Sequence, residues 1–229
     1  MSRPRKVLFI SADQWRGECL SALGHGVLKT PHLDALAADG VLFKQHFSVT
    51  SPCGPARSSL HTGLYLMNHR VGRNGTPLDQ RHTNLAKEVR KLGFDPVLFG
   101  YTDTSADPRG RDPGDAALRT YEGPLTGYQV GLLFPDFMTA WMKDLHAKGY
   151  VFEGRQDIYQ PMPGVLPPAD RGHRFIPARF KAEDSDTNFM TDQVLSWLGQ
   201  HREEDWFMHC VFLRPHPPVI TPYPYNERY

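Results

Sequence analysis

The stretch Val7-Leu8-Phe9-Ile10-Ser11, close to the start of the chain, decides the kind of fold that we expect. An unbroken apolar run of this length is typical of a strand that is buried on both faces of a sheet. A helix follows it, because Thr30 offers a cap, Pro31 a first helical position and Gly40 an end. A buried strand followed by a helix favours an α/β fold.

The alternation of strands and helices continues along the chain. The patterns predict strands at 41–43, 96–99 and 206–213, and helices at 55–62, 85–92 and 186–200. Residues 102–180 differ, because proline and glycine are frequent there and apolar periodicity is poor, so we predict an irregular insertion that lines a pocket. The whole pattern predicts one α/β domain, with a mostly parallel sheet sandwiched by helices and ligands beyond the carboxyl ends of the strands.

Composition argues against several classes of partner. The chain has 229 residues and a net charge of +1, from 26 basic and 25 acidic residues, so nothing predicts a nucleic-acid or anionic-membrane partner. No stretch approaches the ~20 apolar residues that span a bilayer, and the apolar run after the basic N-terminus is too short for a signal peptide. Three scattered cysteines are too few for a disulfide framework, which predicts a reducing compartment and a cytoplasmic protein.

Cys53 is the residue whose neighbours predict chemistry. It stands before a predicted helix, with Pro55 and Arg57 close behind, where free backbone N–H groups and the helix dipole favour a thiolate or an anion. A buried structural cysteine that precedes a helix is the other interpretation of the residue taken alone. A tyrosine-phosphatase loop is excluded, because it needs an arginine at position 59, which is serine.

Five segments, in order along the chain, resemble the sulfatase family of the alkaline phosphatase superfamily, and most closely its phosphonate monoester hydrolase branch. They are residues 13–16, 52–57, 63–70, 77–82 and 214–218, and the second of them contains Cys53. The resemblance implies an alkaline-phosphatase-like sheet. It identifies residues 1–229 as the N-terminal portion of a sulfatase-type hydrolytic domain, incomplete at the C-terminus, because a second pair of metal ligands and a lysine are expected beyond Tyr229.

In the family that the chain resembles, this cysteine is oxidised to formylglycine, and its hydrated form attacks phosphorus or sulfur while bound to a divalent metal. The resemblance implies that Asp13, Gln14 and modified Cys53 bind the metal, with Mn²⁺ or Ca²⁺ favoured and Mg²⁺ as an alternative. It also implies that Arg57 binds charged oxygens and that His216 donates a proton to the leaving oxygen. The second hydroxyl then expels the ester, which a serine nucleophile could not do.

Three further residues are expected at the substrate. Asn74 and Tyr101 match positions that contact substrate oxygens in the resembling branch, although Asn-Gly is also a common turn and a tyrosine after a strand is often core. Asp103 stands where the branch typically has threonine, and its carboxylate would repel an anionic substrate unless it is paired. Our hypothesis is that Asp103 selects a monoanionic or cation-bearing ester.

The sequence thus predicts hydrolysis of phosphonate monoesters, phosphodiesters or sulfate esters by a metal-bound formylglycine derived from Cys53. Two alternatives stay open: an arylsulfatase or choline-sulfatase-like enzyme, and a truncated non-catalytic paralogue that only binds anions or partners. The expected partners are a small anionic ester and a formylglycine-generating maturation enzyme. We expect the full-length enzyme to form a homo-oligomer, and the present chain alone to turn over little.

Overall fold

One sheet forms the centre of the fold. The computed structural model describes residues 5–134, 138–167 and 169–229. Its strands are β1 (Lys6–Ala12), β2 (Val97–Gly100), β3 (Gln129–Leu133) and β4 (Trp206–Phe212), in the sheet order β1-β4-β2-β3. β2 runs parallel to both neighbours, with Val97 opposite Gln129 of β3 and opposite Met208 of β4. The parallel pairing on both sides of β2 confirms the predicted class of sheet.

Helices lie between the strands in the chain. Within the described ranges they are α1 (Pro31–Asp39), α2 (Cys53–Thr62), α3 (Leu66–His69), α4 (Leu85–Lys91), α5 (Thr139–Ala147), α6 (Arg155–Ile158) and α7 (Asp186–Gln200). The predicted helices at 55–62, 85–92 and 186–200 are therefore confirmed, and the Asn84 side chain caps α4 by accepting from the Lys87 N–H. In the part of the chain that the structure describes, no helix combines the length and apolar character needed to cross a membrane.

The chain groups into two compact units. The first consists of Met1–Ser11, Ser48–Ala140 and Phe189–Leu213, and the second of Ala12–Phe47, Trp141–Asn188 and Arg214–Tyr229. A hydrophobic cluster in the first unit is formed by buried Val89, Phe94 and Phe207 with partly buried Phe9, Leu85 and Tyr128. In the second unit, fully buried Trp141 donates its indole N–H to the Asp184 carbonyl oxygen at 2.8 Å.

Local differences from the sequence-based expectations are informative. Residues 41–43 form no strand, and Val41 and Phe43 are exposed, so that prediction is wrong. β1 forms as predicted, but it is not buried on both faces: Val7, Leu8 and Ile10 are 41%, 42% and 53% exposed. Segment 102–180 carries β3, α5 and α6 between its irregular stretches. That this segment is an insertion in a single domain stays a prediction.

The end of β2 requires a glycine. Gly100 has φ +116°, and a Cβ atom at this position would lie 2.6 Å from the Val211 carbonyl oxygen in β4. Because the two backbones approach this closely, β2 packs tightly on β4 where the chain leaves the sheet. Tyr101, Thr102 and Asp103 follow directly and are all buried. The strand end thereby fixes the loop in which two of the predicted substrate residues lie.

Candidate active site

Cys53 is the first residue of α2, and Asn74 holds the main chain beside it. The Gly54 N–H donates to Asn74 Oδ1 at 2.8 Å. A Cβ atom at Gly54 would lie 3.2 Å from that oxygen and 3.4 Å from the Asp103 carbonyl oxygen. The absence of a side chain at Gly54 therefore lets both segments approach the helix start. Asn74 and the Asp103 backbone lie against the same turn of helix as Cys53.

Arg57 lies one turn further along α2, buried against Tyr101. Its Nη1 donates to the Tyr101 carbonyl oxygen at 3.4 Å, and its guanidinium carbon lies 4.9 Å from the centre of the Tyr101 ring. Only 7% of Arg57 and 3% of Tyr101 are exposed. A permanent charge in so dry a place adds to the positive end of the helix dipole, and both favour an anion near Cys53.

The loop after β2 is fixed by Thr102. Its hydroxyl donates to the Gly123 carbonyl oxygen at 2.7 Å and accepts from the Leu125 N–H at 2.9 Å and from the Thr104 hydroxyl at 2.7 Å. Thr102 is completely buried. Asp103 is also buried and has φ 52°, a left-handed conformation that is uncommon for residues other than glycine and that recurs at functional sites. The loop is thus held in one conformation with Asp103 at its bend.

The Tyr121 phenol senses the charges around the Cys53 segment. Burial raises the pKa of the Tyr121 phenol, and the charges of Glu122, Asp103 and the Cys53 thiolate raise it further. The pKa of the Tyr121 phenol therefore responds to the charges of both Asp103 and Cys53. Sequence reasoning did not single out Tyr121. It lies in the segment that the sequence predicts to line a pocket, but its own role could not be predicted from that.

The second unit brings Asp13 and His216 together. Asp13 follows β1 directly and is 8% exposed, and a carboxylate oxygen of Asp13 and a ring nitrogen of His216 lie within 4.8 Å of one another. Nδ1 of His216 lies 2.5 Å from the Pro217 carbonyl oxygen, which can only accept, so Nδ1 carries a proton. The other ring nitrogen, Nε2, is therefore the atom that can bind a metal or exchange a proton.

Gln14 has the left-handed φ of 59° and is exposed. In the described part of the chain, only four residues other than glycine have positive φ, and Gln14 and Asp103 are two of them. A buried carboxylate and a neighbouring amide oxygen fit a divalent ion that prefers oxygen ligands, such as Mn²⁺, Ca²⁺ or Mg²⁺. The residues present therefore fit the expected metal.

Arg214 holds the His216 segment, and sequence reasoning did not assign it this role. Its Nε and Nη2 each lie 2.8 Å from Asp186 Oδ2, at the start of α7, and its Nη1 donates to the His216 carbonyl oxygen at 2.7 Å and to the Pro218 carbonyl oxygen. The guanidinium also stacks on Tyr159, 4.8 Å from the ring centre. The side chain of Asp186 is 5% exposed, so this ion pair is largely removed from water.

Comparison with known proteins identifies the family. The family model described as Sulfatase matches residues 5–229. The chain belongs to the sulfatase family. This confirms the resemblance that the sequence segments indicated, and the sheet described above confirms the fold that it implied.

Relatives of this sulfatase-family chain are found in sequence and in structure. It is 38% identical to the multifunctional alkaline phosphatase superfamily protein PehA of Trinickia caryophylli, over 98% of this chain and 44% of that protein. It is similar to the crystal structure of phosphonate monoester hydrolase from Agrobacterium radiobacter, with 49% identity and a TM-score of 0.91 over 99% of this chain and 44% of that one. Phosphonate monoester hydrolase from Silicibacter pomeroyi is 46% identical, with a TM-score of 0.90, over 98% and 44%. The sulfatase-family chain thus spans less than half the length of these relatives.

The sequence-predicted site residues fall into two groups. The first unit brings together Cys53, Arg57, Asn74, Tyr101 and Asp103, and the second unit holds Asp13, Gln14 and His216. Contacts within each group hold its members close to one another. Their individual roles stay predictions.

Proposed function

We propose that the protein hydrolyses phosphonate monoesters, and phosphodiesters or sulfate esters less efficiently, with a formylglycine made from Cys53 as the nucleophile. The observation that carries the proposal is the start of α2, where Cys53 is followed by buried Arg57 and is flanked by Asn74. This arrangement occurs in a chain that is 46% to 49% identical to two phosphonate monoester hydrolases.

The proposed roles follow from charge and position. Arg57 holds negative oxygens of the ester, because its guanidinium keeps its charge and is aimed by the Tyr101 carbonyl oxygen. Asn74 accepts the Gly54 N–H through its oxygen, so its amide nitrogen is the group left to donate to a substrate oxygen. His216 gives a proton from Nε2 to the departing alcohol, while its Nδ1 proton stays on the Pro217 carbonyl oxygen.

The metal set proposed from the resemblance is Asp13, Gln14 and modified Cys53, with the ion being Mn²⁺, Ca²⁺ or Mg²⁺. A divalent ion would lower the pKa of the attacking hydroxyl and polarise the ester. Asp13 supports this assignment, because carboxylate oxygens are the ligands that such ions prefer and this carboxylate is held in a buried position at the end of β1. The proposed partners are the small anionic ester, a maturation enzyme that oxidises Cys53, and further copies of the full-length enzyme. A cytoplasmic location also remains a proposal from the sequence.

Asp103 is proposed to set substrate charge. Its carboxylate is buried in the loop that follows Tyr101, so a second negative charge on the oxygens of the phosphoryl group itself would meet it at short range and away from water. Monoanionic diesters or esters with a cationic group are therefore preferred. An Asp103→Thr variant should gain activity on dianionic esters relative to monoanionic ones. An unchanged ratio would contradict this role.

The test of the proposed function starts with mass spectrometry of the peptide that contains Cys53, after co-expression with a formylglycine-generating enzyme. Conversion to the aldehyde is expected at Cys53 and not at Cys19, which serves as the internal control in the same sample. The protein, with Cys53→Ala and Cys19→Ala variants, is then assayed on 4-nitrophenyl esters of a phosphonate, a phosphodiester and a sulfate.

Loss of hydrolysis in Cys53→Ala but not in Cys19→Ala supports the proposal. A sulfate ester hydrolysed faster than the phosphonate supports the arylsulfatase or choline-sulfatase-like alternative. An unmodified thiol together with no hydrolysis of any ester would favour the non-catalytic paralogue.

A further inference from the structure

A cavity of about 310 Å³ lies beside the thiol segment in the first unit and has no role in the chemistry described above. It is lined by residues that include Gly75, Pro77, Ser105, Leu118, Arg119 and Tyr121. Gly75 is the neighbour of Asn74, whose side chain holds the start of α2. A Cβ atom on Gly54, the residue after Cys53, would lie 3.3 Å from the Asn74 Cα atom. The cavity therefore opens next to the proposed nucleophile.

Main-chain contacts hold the walls of this cavity in place. The Leu78 N–H donates to the Ser105 carbonyl oxygen at 3.2 Å, and Pro77 and Ser105 form a parallel bridge. On the other side, Thr102 ties the segment after Tyr121 to the loop that carries Asp103. A site whose walls are fixed before binding loses little conformational entropy when a ligand enters.

The lining combines apolar and polar surface in similar amounts and carries a single charge. Pro77, Leu118 and the Tyr121 ring supply flat or aliphatic surface, and Ser105 Oγ is buried without a hydrogen-bond partner among the described residues. Arg119 is exposed and lies at the edge of the cavity, with one weak contact at 3.5 Å to the Gly114 carbonyl oxygen and no salt bridge to a described carboxylate. The lining contains no Asp or Glu. The one charged side chain of the lining is therefore positive, and it attracts a negative group to the edge of the cavity where Arg119 lies.

The geometry of nucleophilic attack on phosphorus determines which part of an ester the cavity can hold. In an in-line displacement the leaving oxygen departs opposite the nucleophile, so a pocket beside the nucleophile suits the group that stays on phosphorus. We propose that this cavity is a subsite for the substituent retained on phosphorus, and that it accepts a compact aromatic or alkyl group ending in a negative charge, which Arg119 binds. This inference rests on the proposed function.

The test uses two phosphonic acids that are not hydrolysed, 4-carboxyphenylphosphonate and its neutral isostere 4-carbamoylphenylphosphonate, in titration calorimetry with the whole chain. The carboxylate should bind about fivefold more tightly, the upper range for a solvent-exposed ion pair. Arg119→Gln should bring the ratio of the two dissociation constants to about one, and Arg119→Lys should restore most of it. Arg174→Gln, an exposed arginine in the second unit, is the matched control and should leave the ratio unchanged.

Equal affinity of the two acids, no binding of either, or a ratio that survives Arg119→Gln would overturn the subsite. The 4-nitrophenyl monoesters of the same acids separate this outcome from failure of the proposed function, because their leaving group is identical. Hydrolysis of both at equal kcat/KM, insensitive to Arg119, would leave the function standing without the subsite. Selective binding of the carboxylate with no hydrolysis of either ester would leave the subsite standing without the function.

Discussion

Acid is expected to destabilise the first unit through two buried imidazoles, His61 of α2 and His209 of β4. Their ring centres are 5.3 Å apart. His209 lies 3.0 Å from the Ser11 hydroxyl and 3.4 Å from the Tyr128 hydroxyl, whereas neither ring nitrogen of His61 has a hydrogen-bond partner among the described residues. Burial, and then the charge of Arg57, lowers the pKa of His61 to about 3. Burial, His61 and Arg57 lower that of His209 to about 2.

The sign of the effect follows from proton uptake. The unfolded imidazoles take up protons near pH 6.5, and the folded ones resist until far lower pH, so the unfolded state binds more protons between these limits. The contribution of the two neutral imidazoles to the free energy of unfolding is therefore fully present above pH 6.5, and it is lost as the pH falls below that value. Between pH 7 and pH 5 each imidazole should cost about 2 kcal/mol of unfolding free energy, and the pair about 4 kcal/mol.

Two variants separate proton uptake from hydrogen bonding. His61→Leu removes two buried nitrogens that have no partner, so at pH 8 it should be neutral or stabilising, and its loss of stability towards pH 5 should shrink by about 2 kcal/mol. His209→Leu should flatten the same pH dependence. It leaves the Ser11 and Tyr128 hydroxyls without their partner, so it should cost about 1 to 3 kcal/mol at pH 8.

Urea unfolding at pH 8, 7, 6 and 5, followed by tryptophan fluorescence, measures these free energies. The decisive quantity is the difference in unfolding free energy between pH 7 and pH 5, compared between the parent chain and His61→Leu. An equal difference in the two proteins would refute the reasoning, because it would mean that His61 does not resist protonation in the fold. A large loss of stability in His61→Leu at pH 8 would refute the claim that its nitrogens have no partner.

Three further perturbations test the packing around the site by thermal and urea unfolding. Gly100→Ala should lower the free energy of unfolding by about 3 kcal/mol, because φ is positive and the new Cβ meets a β4 carbonyl oxygen. The control Gly149→Ala, with positive φ but open space, should lower it by about 1 kcal/mol. Equal losses in the two variants would contradict the close approach of β2 and β4. Arg214→Lys should lower the free energy of unfolding by about 2 kcal/mol, because lysine keeps the positive charge beside Asp186 but lacks the two-pronged guanidinium. An unchanged unfolding midpoint would argue against a stabilising Arg214–Asp186 ion pair. Thr102→Val should lower the free energy of unfolding by about 2 kcal/mol, because the Thr102 hydroxyl makes three hydrogen bonds. Thr104→Val should lower it less. A larger loss in Thr104→Val would contradict the hydrogen bonds that hold the loop after β2.

Local signals predicted α1, α2, α4 and α7, but they missed α5 in the segment that was predicted to be irregular and placed one strand where none forms. The spacing of apolar residues and Gly63 after Thr62 were sufficient for α2, and Asn84 marked the start of α4. The apolar residues at 41–43 gave the same signal as a strand, but a strand also needs a neighbour to pair with, and a local pattern does not contain one. Three apolar residues are too few to decide between a strand and an exposed loop.

The sequence pattern did not predict β3, because this strand contains a glycine. Gly131 read as a loop signal, but in the sheet a Cβ there would lie 2.5 Å from the Phe99 ring, so this glycine allows an aromatic ring to pack on the strand. Only the neighbouring strand explains the residue. Sequence separation also hid the partner of Arg214, because Asp186 is 28 residues away and nothing local connects the two. In contrast, Cys53 and Arg57 share one helix, and their spacing alone placed them together.

The exposed strand β1 bears both on self-association of the chain and on the position of Asp13. It is the terminal strand of the sheet order, and it exposes Val7 and Leu8 on opposite faces. An apolar terminal strand is a template onto which other extended chains add, so concentrated protein is drawn towards self-association. Asp13, which we propose as a metal ligand, follows this strand directly, so a chain that added along β1 would also constrain the segment that carries this carboxylate. If self-association along β1 and metal binding at Asp13 compete, added metal should reduce self-association, and self-association should reduce metal binding.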